Sequence, residues 1–268
     1  MASIVYGPVP SWRLGRSLGI DLLPGQGKTC CYRCTYCQLG VTTHPTVQRA
    51  EFVKLDDLAR ELAIVKGVPA DHVTFSGTGE PTLAANLGRA IDIARRALGL
   101  PVAVLTNSAL IPREDVREEL AKADVVVAKL DAPDERLFRL INRPVVDLSL
   151  EEIVDGIRRF RSEWSGRLAL QMMFLTANKR AADEMAAVAA SLSPDEVQVN
   201  TPLRPSAAAP LSRQEIAAIC ESFKGLPVRS VYEAVPLVVT PVDVEATLRR
   251  RPGSLGGPKA FRDYPKRG

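Results

Sequence analysis

The chain has 268 residues, 25% charged and 46% hydrophobic, with a formal net charge of +4. Its mean hydropathy is close to zero, and its longest apolar runs fall far short of the ~18 residues that a membrane helix needs, which excludes an integral membrane protein of helical type. A chain this long buries roughly three quarters of its unfolded surface without staples, and four of its five cysteines lie within eight residues, which is no disulfide framework. Residues 1–13 lack the charged start and apolar stretch of a signal peptide, so the expected location is a reducing cytoplasm.

Residues 7–19 open with Pro8 and Pro10 and carry Arg13 and Arg16. Arginines beside a first strand suit an anion or substrate carboxylate, and equally a solvated surface lead-in. Residues 18–23 read as that strand. A loop follows from Pro24 and Gly25 to about Val47, and it contains Cys30-Cys31-Tyr32-Arg33-Cys34-Thr35-Tyr36-Cys37. Cys30, Cys34 and Cys37 are spaced Cys-x-x-x-Cys-x-x-Cys. A cubane iron–sulfur cluster takes four thiolates, so three leave one iron open to a substrate or cofactor. A structural zinc would close its tetrahedron with a fourth Cys or a His. Only Cys31, Cys220, His44 and His72 remain, and they make no paired second knuckle. The register with Cys31, Cys34 and Cys37 stays open, and Lys28 and Arg33 stand where they would favour thiolates.

Leu55, Leu58, Leu62 and Val65 recur at helical spacing before Gly67 and Pro69. Strands are then expected at 72–76, 102–106, 124–130, 168–175 and 196–200. They alternate with helices at 83–98, 113–122, 150–164, 179–192 and 212–223. Six βα units imply a parallel sheet with right-handed crossovers, either open or curled into a partial barrel. From Val228 a final strand or loop and a short helix would close the barrel or cap its mouth, which divides the chain into 1–225 and 226–268. The last twenty residues carry seven Lys or Arg against Asp263 alone, leaving −2 on the rest. Such a tail is a solvated terminus or a contact for RNA or another polyanion. Aromatic residues are too sparse, at 5%, for stacking platforms.

Polar residues collect at the expected strand ends. Gly77-Thr78-Gly79-Glu80-Pro81-Thr82 follows residues 72–76; its glycines let a backbone approach a ligand, and Pro81 suits a first helical turn. Asn107 ends the third strand, while Lys129 and Asp131 flank Leu130 on one face of the fourth. A buried Lys needs a partner, either Asp131 or a cofactor carboxylate or ribose. Gln171 and Asn200 are weaker candidates. Ile216, Ile219, Cys220 and Phe223 share a helix face, so Cys220 reads as core and not as a methyl acceptor.

With Tyr36 placed just before the last cysteine, the motif Cys30-x-x-x-Cys34-x-Tyr36-Cys37 and the later Gly77-Thr78-Gly79-Glu80 turn resemble the radical S-adenosylmethionine (SAM) enzymes. The resemblance implies an α/β fold, a partial (β/α)6 TIM-like barrel with chemistry at the C-terminal strand ends. It implies a [4Fe-4S] cluster on Cys30, Cys34 and Cys37. It also implies a SAM pocket drawn from Tyr36, Gly77, Thr78, Gly79, Glu80, Asn107, Lys129 and Asp131, with Glu80 facing the ammonium. An external one-electron donor such as flavodoxin or ferredoxin would drive cleavage of SAM to a 5′-deoxyadenosyl radical for hydrogen abstraction. Within the family, Leu130-Asp131-Ala132-Pro133 and Asn142-Arg143-Pro144 are similar to the iron–sulfur oxidoreductases related to wyosine-forming tRNA enzymes. No cysteine precedes Cys30, so the second cluster of wyosine enzymes has no ligands and wyosine synthesis itself is not expected. RNA is the favoured substrate class on the tail and this branch. An activase of a protein or small-molecule radical enzyme is the alternative, and a zinc or iron–sulfur sensing module the non-enzymatic one.

Overall fold

The structure is a computed structural model that describes residues 3–235 and 237–253. Among these residues the strands are β1 (Val5–Ser11), β2 (Gly15–Ile20), β3 (Lys28–Cys30), β4 (Thr42–Pro45), β5 (His72–Phe75), β6 (Val102–Thr106), β7 (Val125–Lys129), β8 (Arg167–Met173), β9 (Glu196–Asn200) and β10 (Val228–Ser230). The α-helices are α1 (Leu55–Ile64), α2 (Leu87–Leu98), α3 (Glu114–Leu120), α4 (Glu135–Ile141), α5 (Leu150–Glu163), α6 (Ala182–Leu192), α7 (Arg213–Ser222) and α8 (Val244–Arg250).

One eight-stranded sheet runs β1-β2-β5-β6-β7-β8-β9-β10. Only the β1–β2 pair is antiparallel. Helices α1, α2, α3, α5, α6 and α7 each link neighbouring parallel strands, which gives six βα units on a curled half-barrel sheet. β3 and β4 form a separate parallel ribbon inside the cysteine loop.

Local chemistry explains the helices. In α2, Leu87, Ala90, Ile91 and Ala94 are buried at i, i+3, i+4 and i+7, and Gly99 ends the helix in the left-handed conformation at φ 65°. Ser212 and Glu215 form a reciprocal capping box at the start of α7. The strands alternate by face. Val126, Ala128, Val197 and Val199 join the main core under the helices, while Leu14, Ala103, Val125, Val127 and Ala169 pack into a plug inside the barrel. On the inner faces beyond that plug the chain turns polar, with Ser17, Thr74, Gln171, Gln198 and Asn200 all buried.

Several expectations shift. The strand expected at 18–23 is Gly15–Ile20, and it pairs with β1, a segment whose prolines read as a lead-in. β1 is an edge strand, where Pro8 and Pro10 remove no needed ladder donor. The helix expected from residue 83 begins at Leu87, because Pro81–Leu83 forms a separate 3-10 turn. Helix α4 escaped the periodicity, being seven residues long, though Asp134 caps it and Leu137, Phe138 and Ile141 are buried.

The C-terminal segment joins both edges of the sheet. β10 pairs with β9 at one edge; at the other, Val242 N–H donates to the Gly7 carbonyl at 2.7 Å, and Ala246 of α8 packs with Tyr6 and Val9 of β1. Most of the basic tail, residues 254–268, lies outside the described residues. No helix among the described residues is long and apolar enough to cross a membrane.

Candidate functional site

Cys30 ends β3, and Cys34 and Cys37 follow on the turn beyond it. Cys30 is buried, Cys34 and Cys37 are half-buried, and Lys28 is 95% enclosed beside them, with Nζ donating to the Tyr32 carbonyl at 2.9 Å. Burial works against the charge of Lys28, yet Cys30, Cys37 and Cys34 raise its pKa. Arg33, the other basic residue of the motif, faces solvent. Donation from Cys31 lowers the Cys30 thiol to about 7, against burial and with help from Lys28, whereas burial pushes Cys34 up to about 12.

The donor set suits a cluster better than a single ion. Three thiols on one eight-residue stretch fit three irons of a cubane, whereas a structural zinc closes its tetrahedron with a fourth Cys or a His. Tyr32 Oη, Thr35 Oγ1 and Asn142 Oδ1 are buried around the loop without a hydrogen-bond partner. Both cysteine registers are compatible with Asn107, whose Nδ2 lies 3.4 Å from the sulfurs of Cys30 and of Cys31.

The Gly77–Glu80 turn is bound directly to this loop. Glu80 N–H donates to the Thr29 carbonyl at 3.1 Å, and a Cβ on Gly79 would stand 2.2 Å from that same oxygen. We expect Gly79→Ala to lower stability by about 1–3 kcal/mol in urea unfolding, because backbone and not a flexible side chain must move; an unchanged midpoint would show that the two loops part freely.

Glu80 is 2% exposed. Its Oε1 accepts from Thr82 N (3.1 Å), Thr82 Oγ1 (2.8 Å) and Thr106 Oγ1 (2.6 Å), and its Oε2 from Asn107 N (2.6 Å). Burial raises its pKa although all these bonds oppose it, and the carboxylate rests among neutral donors, with no ion pair among the described residues. Thr78 is turned the other way, its one hydroxyl proton shared between Asp21 Oδ2 at 2.8 Å and the Leu23 carbonyl at 2.6 Å. Gly77, at φ 149°, leaves the room that Asp21 fills.

Asp131 is not an open carboxylate. It accepts from Tyr36 Oη, from Asn142 Nδ2 at 2.7 Å and from Met173 N at 2.9 Å. Lys129 Nζ stands 3.7 Å from Asp131 Oδ1 and 4.9 Å from the centre of the Tyr36 ring. The pairing of Lys129 with Asp131 is therefore realised, and Asp131 fixes the aromatic residue of the cysteine motif instead of presenting itself to the pocket. Asn142, part of the Asn-Arg-Pro segment, was not singled out in the sequence as a site residue; its Nδ2 also lies 3.7 Å from Cys34 Sγ. Gln171 and Asn200 are buried on β8 and β9. Cys220 is half-buried against the main core from α7, far along the chain from the other cysteines.

The two N-terminal arginines part company. Arg16 is an exposed residue paired with Asp71 at 2.6 Å, while Arg13 turns its guanidinium under cover, with Nε and Nη1 sealed from solvent.

A radical SAM superfamily profile matches residues 27–189, more than half of the chain, and the chain belongs to that superfamily. It is similar to UPF0026 proteins. It is 42% identical over 213 residues to one from Synechocystis sp., covering 78% of each chain. It is 39% identical over 210 residues to one from Methanocaldococcus jannaschii, covering 76% of this chain and 64% of the relative. Among solved structures, Streptococcus suis SuiB bound to S-adenosylmethionine superposes with a TM-score of 0.60 at 15% identity, over 76% of this chain and 48% of SuiB. That likeness is one of fold, and the chain spans about half the length of SuiB.

Proposed function

We propose that this protein is a radical SAM enzyme whose Cys30, Cys34 and Cys37 hold a [4Fe-4S] cluster and whose Gly77–Glu80 turn, with Asn107 and Lys129, receives SAM. One observation carries the reading: Asn107 touches both halves of the site, its backbone N–H on Glu80 and its side-chain amide on Cys30. When bound, the cluster supplies one electron and SAM the 5′-deoxyadenosyl group that abstracts hydrogen from the substrate. The chain's own residues hold and orient. Glu80, buried with no ion pair among the described residues, suits the ammonium of SAM through a charge-assisted bond. Lys28 balances thiolate charge, and Asp131 locks Tyr36 against the loop. An external one-electron donor such as flavodoxin or ferredoxin would serve as partner. RNA as substrate is supported by the charge of residues 249–268, and deleting 254–268 should then weaken tRNA binding and flatten its salt dependence.

The test is anaerobic. Protein reconstituted with iron and sulfide, given SAM and a strong reductant, should release 5′-deoxyadenosine in a cluster-dependent manner. A reducible cluster whose paramagnetic spectrum ignores SAM, with no 5′-deoxyadenosine formed, would refute the reading.

A further inference from the structure

A cavity of about 250 Å³ opens beside the cysteine loop, lined by Leu140, Ile141, Leu175 and Ala177 together with Thr35 and Arg143. Thr35 stands between Cys34 and Tyr36; the others come from the end of α4, the turn after it and the loop after β8. None of them belongs to the proposed SAM pocket. The loop and the turn are stitched together, since Arg33 N–H donates to the Arg143 carbonyl at 3.0 Å and Thr35 N–H to the Ile141 carbonyl at 2.9 Å. Both bonds continue an antiparallel bridge between Tyr32 and Pro144.

That register sets Arg33 opposite Arg143, and like charges on opposed residues repel. Both are exposed, as is Arg136, and among the described residues none of the three forms an ion pair. Arg136 lies one turn before Leu140 on the same face of α4. The neighbouring carboxylates are already engaged. Asp134 caps α4 by accepting from Leu137 N at 2.8 Å, and Glu135 pairs with Arg139 at 2.8 Å. Arg143 holds its place at φ 47°, in the left-handed region where glycine would be unstrained. Leu140, 46% exposed, adds an apolar rim.

Sites that enclose a free ligand run to roughly 300–1,000 Å³. This smaller cavity suits one apolar side chain of a docking protein, the kind of anchor around which interfaces are built. The unpaired cations about it select a negatively charged partner, and their place beside the cluster loop selects one that must come close to the cluster. RNA phosphates would meet the cations but leave the cavity unfilled, and no aromatic side chain lines it for a base to stack on. We propose that Arg33, Arg136 and Arg143, with the cavity at Leu140, form the docking face for an acidic one-electron carrier protein that inserts an apolar side chain beside Thr35. One electron leaves the carrier, which is oxidised, and enters the cluster, which is reduced; no bond or proton is exchanged. The inference rests on the proposed SAM-cleaving reading, which calls for such a carrier. Redox encounters are small and weak, and charge acts mainly on their association, so the face needs no larger apolar area.

Calorimetric binding of oxidised flavodoxin to the cluster-reconstituted protein, without SAM or reductant, tests it. Affinity should fall at least about ten-fold between ~0.01 M and ~0.1 M salt, as the Debye length shrinks from roughly 30 to roughly 10 Å. Leu140→Asp, Arg136→Glu and Arg143→Asn, whose asparagine tolerates the left-handed backbone, should each weaken binding at least about five-fold. Arg96→Glu, the same charge change at an exposed position of α2, should not. Reduction of the cluster by flavodoxin hydroquinone should slow in the same three variants, while reduction by dithionite keeps its rate. The proposal is overturned if the three variants bind like the parent, if Arg96→Glu loses as much, or if dithionite reduction slows alongside. Loss of tRNA binding in the same three variants would give the face to RNA and overturn it as well. None of these readouts needs SAM cleavage, so failure of the radical reaction would show separately in the 5′-deoxyadenosine assay.

Discussion

Cys34→Ala should leave the protein without iron and sulfide after reconstitution, and 5′-deoxyadenosine formation should fall by more than the 10–100-fold typical of losing a residue that only orients a ligand. Cys30, Cys34 and Cys37 come from one short loop, and no other cysteine side chain stands ready to replace Cys34. Cys220 is on α7, packed against the main core, with its thiol raised to about 11 by burial first and then by Glu233 and Glu221. Cys31 is the informative control. It is fully buried and donates to Cys30, so Cys31→Ala should retain iron while raising the Cys30 thiol toward its ordinary range. Iron lost from Cys31→Ala and kept in Cys30→Ala would establish the other register, and iron kept in Cys34→Ala would remove the cluster assignment.

Asp21→Ala should lower stability by about 3–5 kcal/mol, read as a shift of the urea midpoint. Asp21 and Arg250 have side chains only 1% exposed, paired at 2.8 Å. Removing the carboxylate leaves a guanidinium out of water, held by the carbonyls of Ala246 and Ser3 and the Tyr6 ring at 4.9 Å. It also strips partners from Leu23 N, Thr78 N and Thr78 Oγ1. The double variant Asp21→Leu with Arg250→Met should recover much of the loss, because apolar replacement of a whole buried pair is far less costly than orphaning one member. A single-variant loss below about 1 kcal/mol would mean that water reaches the pair.

The βα alternation was legible wherever a strand was apolar on both faces or alternated strictly, or a helix carried a full stripe. Val102–Thr106 and Glu196–Asn200 fall where the sequence places them. The hairpin strand Val5–Ser11 was hidden because prolines signal loops, and only the edge position, a tertiary fact, makes them acceptable. The cysteine motif and the Gly77–Glu80 turn were visible as local patterns, but how each residue is used was not. Asp131 takes the Tyr36 hydroxyl as well as Lys129, and the contact with Tyr36 depends on a register across 95 residues. Asn142 and Asp21 gave no local signal, since nothing in their neighbours reveals that one reaches Cys34 and the other underlies Thr78. Arg13 and Arg16 looked alike in the sequence, and only the turn geometry sends one to Asp71 and the other inward.

The pair between Asp21 and Arg250 spans 229 residues of chain, and this separation has a consequence for biogenesis. On a ribosome adding about 5–20 residues per second, Asp21 and the cysteine loop are made many seconds before α8 exists. Through that interval the turn that carries Glu80 lacks its brace, and the segment that pairs with Gly7 and packs on Tyr6 and Val9 of β1 is not yet made. Arg250 and Arg249 of α8 also contact Gln38 and Gly25, so the cover they give the cysteine loop is the last part of the site to be made.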